Sequence, residues 1–315
     1  MPDTMNCSTL PSLPKPVLAI AGATLLFGTA TPLLKILVDG MAPLLLITFL
    51  AFGSGAGILF WGIARRSRSS VSLLPANRRE RRLLAGTVIV GGFIAPVIQC
   101  FALTITPAAT AALLLNFEIV ATVLLAFLVF HEPADRRISF ALILILAGAI
   151  LLGWSNESAL GISLGALGII FSGFFWGVDN NCMAHITAYS PELIGLYKVI
   201  FGGSIAAVLV FALKEPLPGA DLIALALLTG FFSFGFGLIL FITALREMGA
   251  ARAGAIYSAA PFIGCIASLV IFSDALGSQF WLALPLFVAG ALIVIHEQWI
   301  LGRPGAVNNP AERER

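Results

Sequence analysis

Charge is what this sequence has least of. Only 11% of its 315 residues are Asp, Glu, Lys or Arg, where an average soluble domain carries about 25%. The chain cannot supply the polar surface that a water-soluble globular fold needs, and a disordered or fibrous chain is excluded for the same reason. Histidine is scarce too: His131, His185 and His296 are too few and too scattered for a zinc site. The four cysteines form no CxxC pair and no metal spacing. Three of them, Cys100, Cys182 and Cys265, lie in apolar runs, where a thiol behaves as a small hydrophobe. No metal or cofactor is expected. An ATP-binding motif is also absent, as are the GxSG and paired GxGD aspartate patterns of intramembrane proteases, so neither an ATP-driven pump nor an enzyme is expected.

What the sequence has in excess is apolar length. Hydrophobic residues make up 59%, mean hydropathy is +1.01, and the apolar residues come in runs of about 20, the length that crosses the hydrocarbon core. The runs are continuous and do not alternate, which disfavours a β-barrel. Ten spans are expected, at residues 16–38, 43–64, 83–104, 108–130, 138–154, 160–183, 192–213, 222–245, 253–272 and 280–299. Most separators are short and carry Asp39-Gly40, Thr106-Pro107, Glu132-Pro133 or Ser190-Pro191, which break helices. The first run is too long for a signal-peptide core and reads as a retained helix. The fold class is therefore an all-α polytopic membrane protein.

Basic residues set its orientation. With a cytoplasmic N-terminus, the inner segments hold Lys15, the seven arginines of residues 65–82, Arg136, Arg137, Arg246, Arg252, Arg303, Arg313 and Arg315, fifteen of the 18 basic residues. Positive charge is retained on the cytoplasmic side, so both termini are expected inside, in a bacterial inner (plasma) membrane. Topology also explains the arginine-rich 65–82 loop. No aromatics interleave it, so no nucleic-acid partner is expected, and contact with lipid headgroups is a side effect. Asn156-Glu157-Ser158 is a formal glycosylation sequon in an outer loop. Gly53-Ser54-Gly55-Ala56-Gly57 lies mid-span and reads as a close helix contact rather than a phosphate cradle, and Gly161/Gly165 and Gly173/Gly177 allow similar contacts in the sixth span.

The chain also repeats itself. Ala102-Leu103-(x)4-Ala108-Ala109-x-Ala111 recurs 142 positions later as Ala244-Leu245-(x)4-Ala250-Ala251-x-Ala253, and the same offset carries Glu132 onto Asp274. Phe27-Gly28 matches Trp176-Gly177, and Ala42-Pro43 matches Ser190-Pro191. Ten spans thus divide as five and five: a cytoplasmic tail (1–15), a first repeat (16–154), a second (160–299) and a C-terminal tail (300–315). Five is odd, so the second copy enters the membrane from the opposite side. Inverted repeats offer two similar states, one open to each face, which suits alternating access.

The aromatic-Gly pair in each first helix, the Ala-rich entry to each fourth helix and the acid closing it resemble EamA-type members of the drug/metabolite transporter superfamily, over nearly the whole chain. The resemblance implies two inverted five-helix repeats and a central cavity built mainly from helices one to four and six to nine. It also implies transport, often export, of small metabolites such as amino acids. One departure stands out. Members commonly carry a proline midway along the fourth helix of each repeat. Here the second copy has Pro261, while Ile119, preceded by Glu118, takes the matching place in the first.

Ionisable groups inside a bilayer cost about 2.5–3.5 kcal/mol on insertion scales and each needs a reason. Glu118 lies mid-span, sharing a helix face with Ala111, Leu115 and Thr122. The repeat offset maps Leu115 onto Tyr257, so Glu118 and Tyr257 are expected to face one cavity from opposite sides. Glu118 reads as a proton carrier or a counter-charge for a substrate amine, or else as a carboxyl hydrogen-bonded between helices, with no basic residue at matching depth. Asp179 and Lys198, roughly 6 Å and 9 Å deep at 1.5 Å per residue, read as a structural ion pair between the sixth and seventh spans, or as an inner gate or substrate site together with Trp176, Asn180 and Asn181, with Trp176, Asp179 and Asn180 on a common helix face. Asn181 points elsewhere. Gln99, Asn116 and Ser258 can hydrogen-bond a polar solute or a neighbouring helix. Lys35 is expected to snorkel to the interface, His185 to be solvated, and Pro96, Pro261 and Pro285 to kink their helices.

The expected function is gradient-driven or facilitative transport, exporting a small metabolite such as an amino acid or amine by alternating access. The expected partners are that small molecule, protons and the lipid bilayer. The alternative is multidrug or cation efflux; a channel or an intramembrane enzyme is a more remote one.

Overall fold

In hydrocarbon every backbone polar group must be satisfied within the chain, and long apolar runs meet that demand as helices. The computed structural model describes residues 15–64, 78–130, 136–155, 162–248, 250–272 and 276–296. These residues form ten helical segments: α1 (Lys15–Gly40), α2 (Pro43–Ala64), α3 (Arg78–Thr104), α4 (Ala108–Leu114 and Phe117–Phe130), α5 (Arg136–Gly153), α6 (Leu164–Ala184), α7 (Pro191–Leu213), α8 (Ala220–Glu247), α9 (Ala250–Tyr257 and Ala260–Ile271) and α10 (Ser278–Ile295). Among the described residues there is no strand, only one isolated bridge between Trp154 and Ile162.

Eight of the segments are long and apolar enough to cross a bilayer, all except α6 and α9. α6 has the length, 21 residues, but Asp179, Asn180 and Asn181 dilute its last turns. α9 is cut in two, and its longer piece has 12 residues. Several residues singled out above fall outside the described residues: Arg65, Arg66 and Arg68, His131, Glu132 and Pro133, the Asn156 sequon, Gly161, Asp274, residues 1–14 and the C-terminal tail. Arg78, Arg79, Arg81 and Arg82 open α3 and are exposed.

Helix pairing follows the repeat. α1 packs on α8 and α9, as α6 packs on α3 and α4; α2 packs on α8, as α7 packs on α3. The remaining large contacts, α2 with α7, α5 with α10 and α4 with α9, map onto themselves. The end of α1 and the start of α6 share one face of the molecule, because Lys35 reaches the carbonyls of Leu103 and Thr104 while Gly165 sits against Thr106. At the opposite face the turn after α6 is clamped between the start of α3 and the end of α8. There Glu80 Oε1 accepts from Thr187 Oγ1 at 3.0 Å, and Arg246 donates to the carbonyls of Ile186, at 2.9 Å, and Tyr189. The first helices of the two copies therefore run in opposite directions.

Close approach depends on missing side chains. Gly53 and Gly57 of α2 lie against the backbone of α8, and a β-carbon on Gly57 would sit 2.5 Å from the carbonyl oxygen of Phe231. This is the helix contact expected from the glycine run.

Two pairs of irregularities recur at matching places. α3 and α8 each contain a stretch of π-helix, Thr87–Ile94 and Gly230–Phe236, a geometry that often marks functional segments. α4 and α9 each break in mid-course, at Leu115-Asn116 and Ser258-Ala259. In α9 the cause is Pro261, which has no N–H for the preceding turn. In α4 the chain breaks without a proline. Asn116 Nδ2 donates to Leu113 O at 2.9 Å, and the next amides tighten to three-residue bonds, Glu118 N to Leu115 O and Ile119 N to Asn116 O. A side-chain amide competing for a backbone carbonyl performs the interruption.

Two expectations at the helix ends need correction. Lys35 does not simply snorkel: its ammonium pairs with Asp39 at 2.8 Å and caps the last carbonyls of α3, where orphan acceptors and the helix dipole favour a cation. His185 is half-buried at the C-terminus of α6, with Nδ1 2.9 Å from Asn181 O.

Candidate functional site

A cavity of about 150 Å³ lies at the centre of the molecule, lined by α1, α2, α3, α4, α6, α7, α8 and α9. α5 and α10 contribute nothing to its wall; they pack on each other at the periphery. One side is polar and charged, the other aromatic.

α6 carries the polar side. Gly173 and Gly177 bring it against the α4 backbone at Glu118 and Ala121, and this contact sets Asn180 beside Glu118. Asn180 Nδ2 donates to Glu118 Oε1 at 2.7 Å and lies 3.5 Å from Thr122 Oγ1. Glu118 therefore has an amide partner across the α4–α6 contact, the hydrogen bond between helices that is one of its two readings. Among the described residues it makes no ion pair.

Next to Asn180 on α6, Asp179 is fully buried and held from two sides. Lys198 Nζ of α7 lies 2.5 Å from Asp179 Oδ2, and Thr87 Oγ1 of α3 donates to Oδ1. The carboxylate occupies the space a β-carbon of Gly91 would fill, so the π-helical stretch of α3 provides both its room and its second donor. Lys198 also lies 5.6 Å from the centre of the Trp176 ring, and Trp176 Nε1 donates to Gln99 Oε1 at 2.8 Å. Glu118, the Asp179–Lys198 pair and Tyr257 all line this cavity.

The opposite wall is a cluster of rings from α1, α8 and α9. Phe27 meets Phe234, Phe241 and Tyr257 edge-on, with centroids 5.8, 6.1 and 5.8 Å away. Phe241 and Tyr257 are 4.7 Å apart. All four line the cavity, and such offset arrangements are favourable for aromatic pairs.

The structure thus brings Glu118, Gln99, Trp176, Asn180, Tyr257, Asp179 and Lys198 to one cavity. Asn116 and Ser258 are not in its wall. Both are fully buried at the two helix breaks, because the side chain one residue beyond the cavity-facing Leu115 or Tyr257 rotates away from it. Asn181 also points away, donating to Thr122 O and Gly177 O. Sequence reasoning missed Thr87, Phe234 and Phe241, and noted Phe27 only as a repeat marker. Isolated phenylalanines in apolar runs carry no signal of their own, but repeat symmetry opposite Trp176 marked Phe27.

Known proteins share this architecture. The model of the EamA-like transporter family matches the chain twice, over residues 14–154 and 163–296. An uncharacterized transporter of Methanothermobacter thermautotrophicus is 26% identical over 276 residues, spanning 82% of this chain and 79% of that protein. A protein of known crystal structure superposes with a TM-score of 0.66 over 93% of this chain and 99% of its own, at 19% identity, which establishes likeness of fold. The chain belongs to the EamA-like transporter family.

Proposed function

We propose that the protein is a gradient-driven or facilitative exporter of a small metabolite bearing an amino group, an amino acid or an amine, which passes through the central cavity by alternating access. The observation that carries this reading is Glu118: a carboxyl in the cavity wall, positioned by Asn180 and without an ion pair among the described residues. Such a group can take a proton or an ammonium, but not both at once. Antiparallel repeats with matching interruptions in α3/α8 and α4/α9 support two exchangeable states. The orientation we propose has ten spans and both termini cytoplasmic, in a bacterial inner membrane, on the strength of the basic residues.

The test is counterflow in proteoliposomes loaded with one unlabelled amino acid or amine at a time. Labelled solute should accumulate transiently with at least one amino compound inside and not with its deaminated analogue. Equal counterflow with the deaminated analogue, or none with any amino compound, contradicts the reading.

The aromatic wall gives the alternative, cation efflux, an observation of its own, since ring faces attract cations. Bulky organic cations then compete with amino compounds in the same counterflow.

A further inference from the structure

We infer that the cavity selects a monoamine with one aromatic ring over the corresponding amino acid. This inference rests on the transport reading above and narrows its substrate class. Charge supplies the first argument. A zwitterion needs an anion for its ammonium and a cation for its carboxylate. Lys198 is the cation in the cavity wall among the described residues, and it is spent on Asp179 at 2.5 Å, with Thr87 on the other carboxylate oxygen. Prising it away would strand a buried charge. With that pair neutral, ionised Glu118 leaves the wall one negative charge in excess. A monocation balances it; a zwitterion brings in a carboxylate with no partner, and leaving a buried charge unpaired is costly.

Shape supplies the second argument. In the same cavity as Glu118, the rings of Phe27, Phe234, Phe241 and Tyr257 form an apolar cluster, and the volume of about 150 Å³ is on the order of what admits one aromatic ring. An ammonium on Glu118, a short linker and one ring against this wall use both sides of the cavity. Trp176, already hydrogen-bonded to Gln99, closes the polar side.

The experiment compares 2-phenylethylamine with L-phenylalanine, which differ only by the carboxylate, using thermal unfolding of the purified full-length protein; a ligand that binds the folded state raises its unfolding temperature with concentration. The amine should raise it, and phenylalanine should need at least about tenfold more for the same rise, the factor that about 1.4 kcal/mol of discrimination gives. Glu118→Gln should need at least about tenfold more amine for the same shift, and Glu118→Asp should lose less. Phe241→Leu, which keeps a well-packed apolar side chain, should weaken the amine several-fold without touching Glu118. Phenylalanine binding as well as the amine overturns the inference and leaves export of an amino compound standing. An unchanged amine shift in Glu118→Gln overturns it too, as does no shift by the amine; the counterflow result then judges the transport reading separately.

Discussion

Glu118→Gln should fold normally and lose coupled transport. Glutamine keeps the length of the side chain and an oxygen that can still accept the Asn180 amide at the 2.7 Å position, so the α4–α6 contact survives. What disappears is the negative charge and the site for a proton. Hydrogen bonds to charged groups are worth about 1.5–3 kcal/mol, so amine-dependent counterflow should fall by roughly ten- to a hundredfold while the unfolding temperature moves little. Survival of transport with unchanged selectivity would reduce Glu118 to a helix–helix contact. The work would then pass to neutral groups such as Tyr257, Trp176 and Gln99.

The second large effect belongs to Asp179 and Lys198. Both are buried and in direct contact, and removing one partner of such a pair costs about 3–5 kcal/mol because the other is left uncompensated. Asp179→Asn and Lys198→Met should each destabilise the protein strongly, and the double variant should recover much of the loss. Additive losses would show that the two are not energetically a pair. Stability and transport separate the two roles considered for this cluster: a purely structural pair gives a double variant that transports normally, whereas a gate gives one that folds and fails to transport.

Sequence and structure agree where one helix at a time is enough. Continuous apolar runs give the helices, and the 142-residue offset matches α4 with α9 and brings Tyr257 to the same cavity as Glu118. Periodicity on α6 correctly separates Trp176, Asp179 and Asn180 from Asn181. Most of the failures share a cause: they depend on an atom supplied by another helix or on competition within the backbone. The partnership of Asn180 with Glu118 exists because Gly173 and Gly177 let two helices touch, and no spacing within α4 announces it. Lys35 finds its partners on α3, 68 and 69 residues away. The break in α4 is made by Asn116 and a tightened turn, where the proline signal is missing. The aromatic wall adds Phe234 and Phe241 of α8 to Phe27 and Tyr257, and each of these two phenylalanines alone looks like any lipid-facing or core residue.

The account turns on Glu118 holding either a proton or a substrate ammonium, and the pH dependence of amine binding tests it most directly. Around Glu118 the other titratable groups of the cavity wall are Asp179 and Lys198, which neutralise each other, and Tyr257 and Cys100. The affinity of the full-length protein for 2-phenylethylamine should be measured by calorimetry between about pH 5 and pH 9, where the amine itself stays largely protonated. Linkage requires the apparent dissociation constant to rise as pH falls once the proton competes for the carboxylate, approaching about tenfold per pH unit, with protons released on binding in that range. The wild-type protein should show this rise, and Glu118→Gln should bind weakly with no such slope. The same slope in both proteins, or a flat profile in the wild type, would contradict the account.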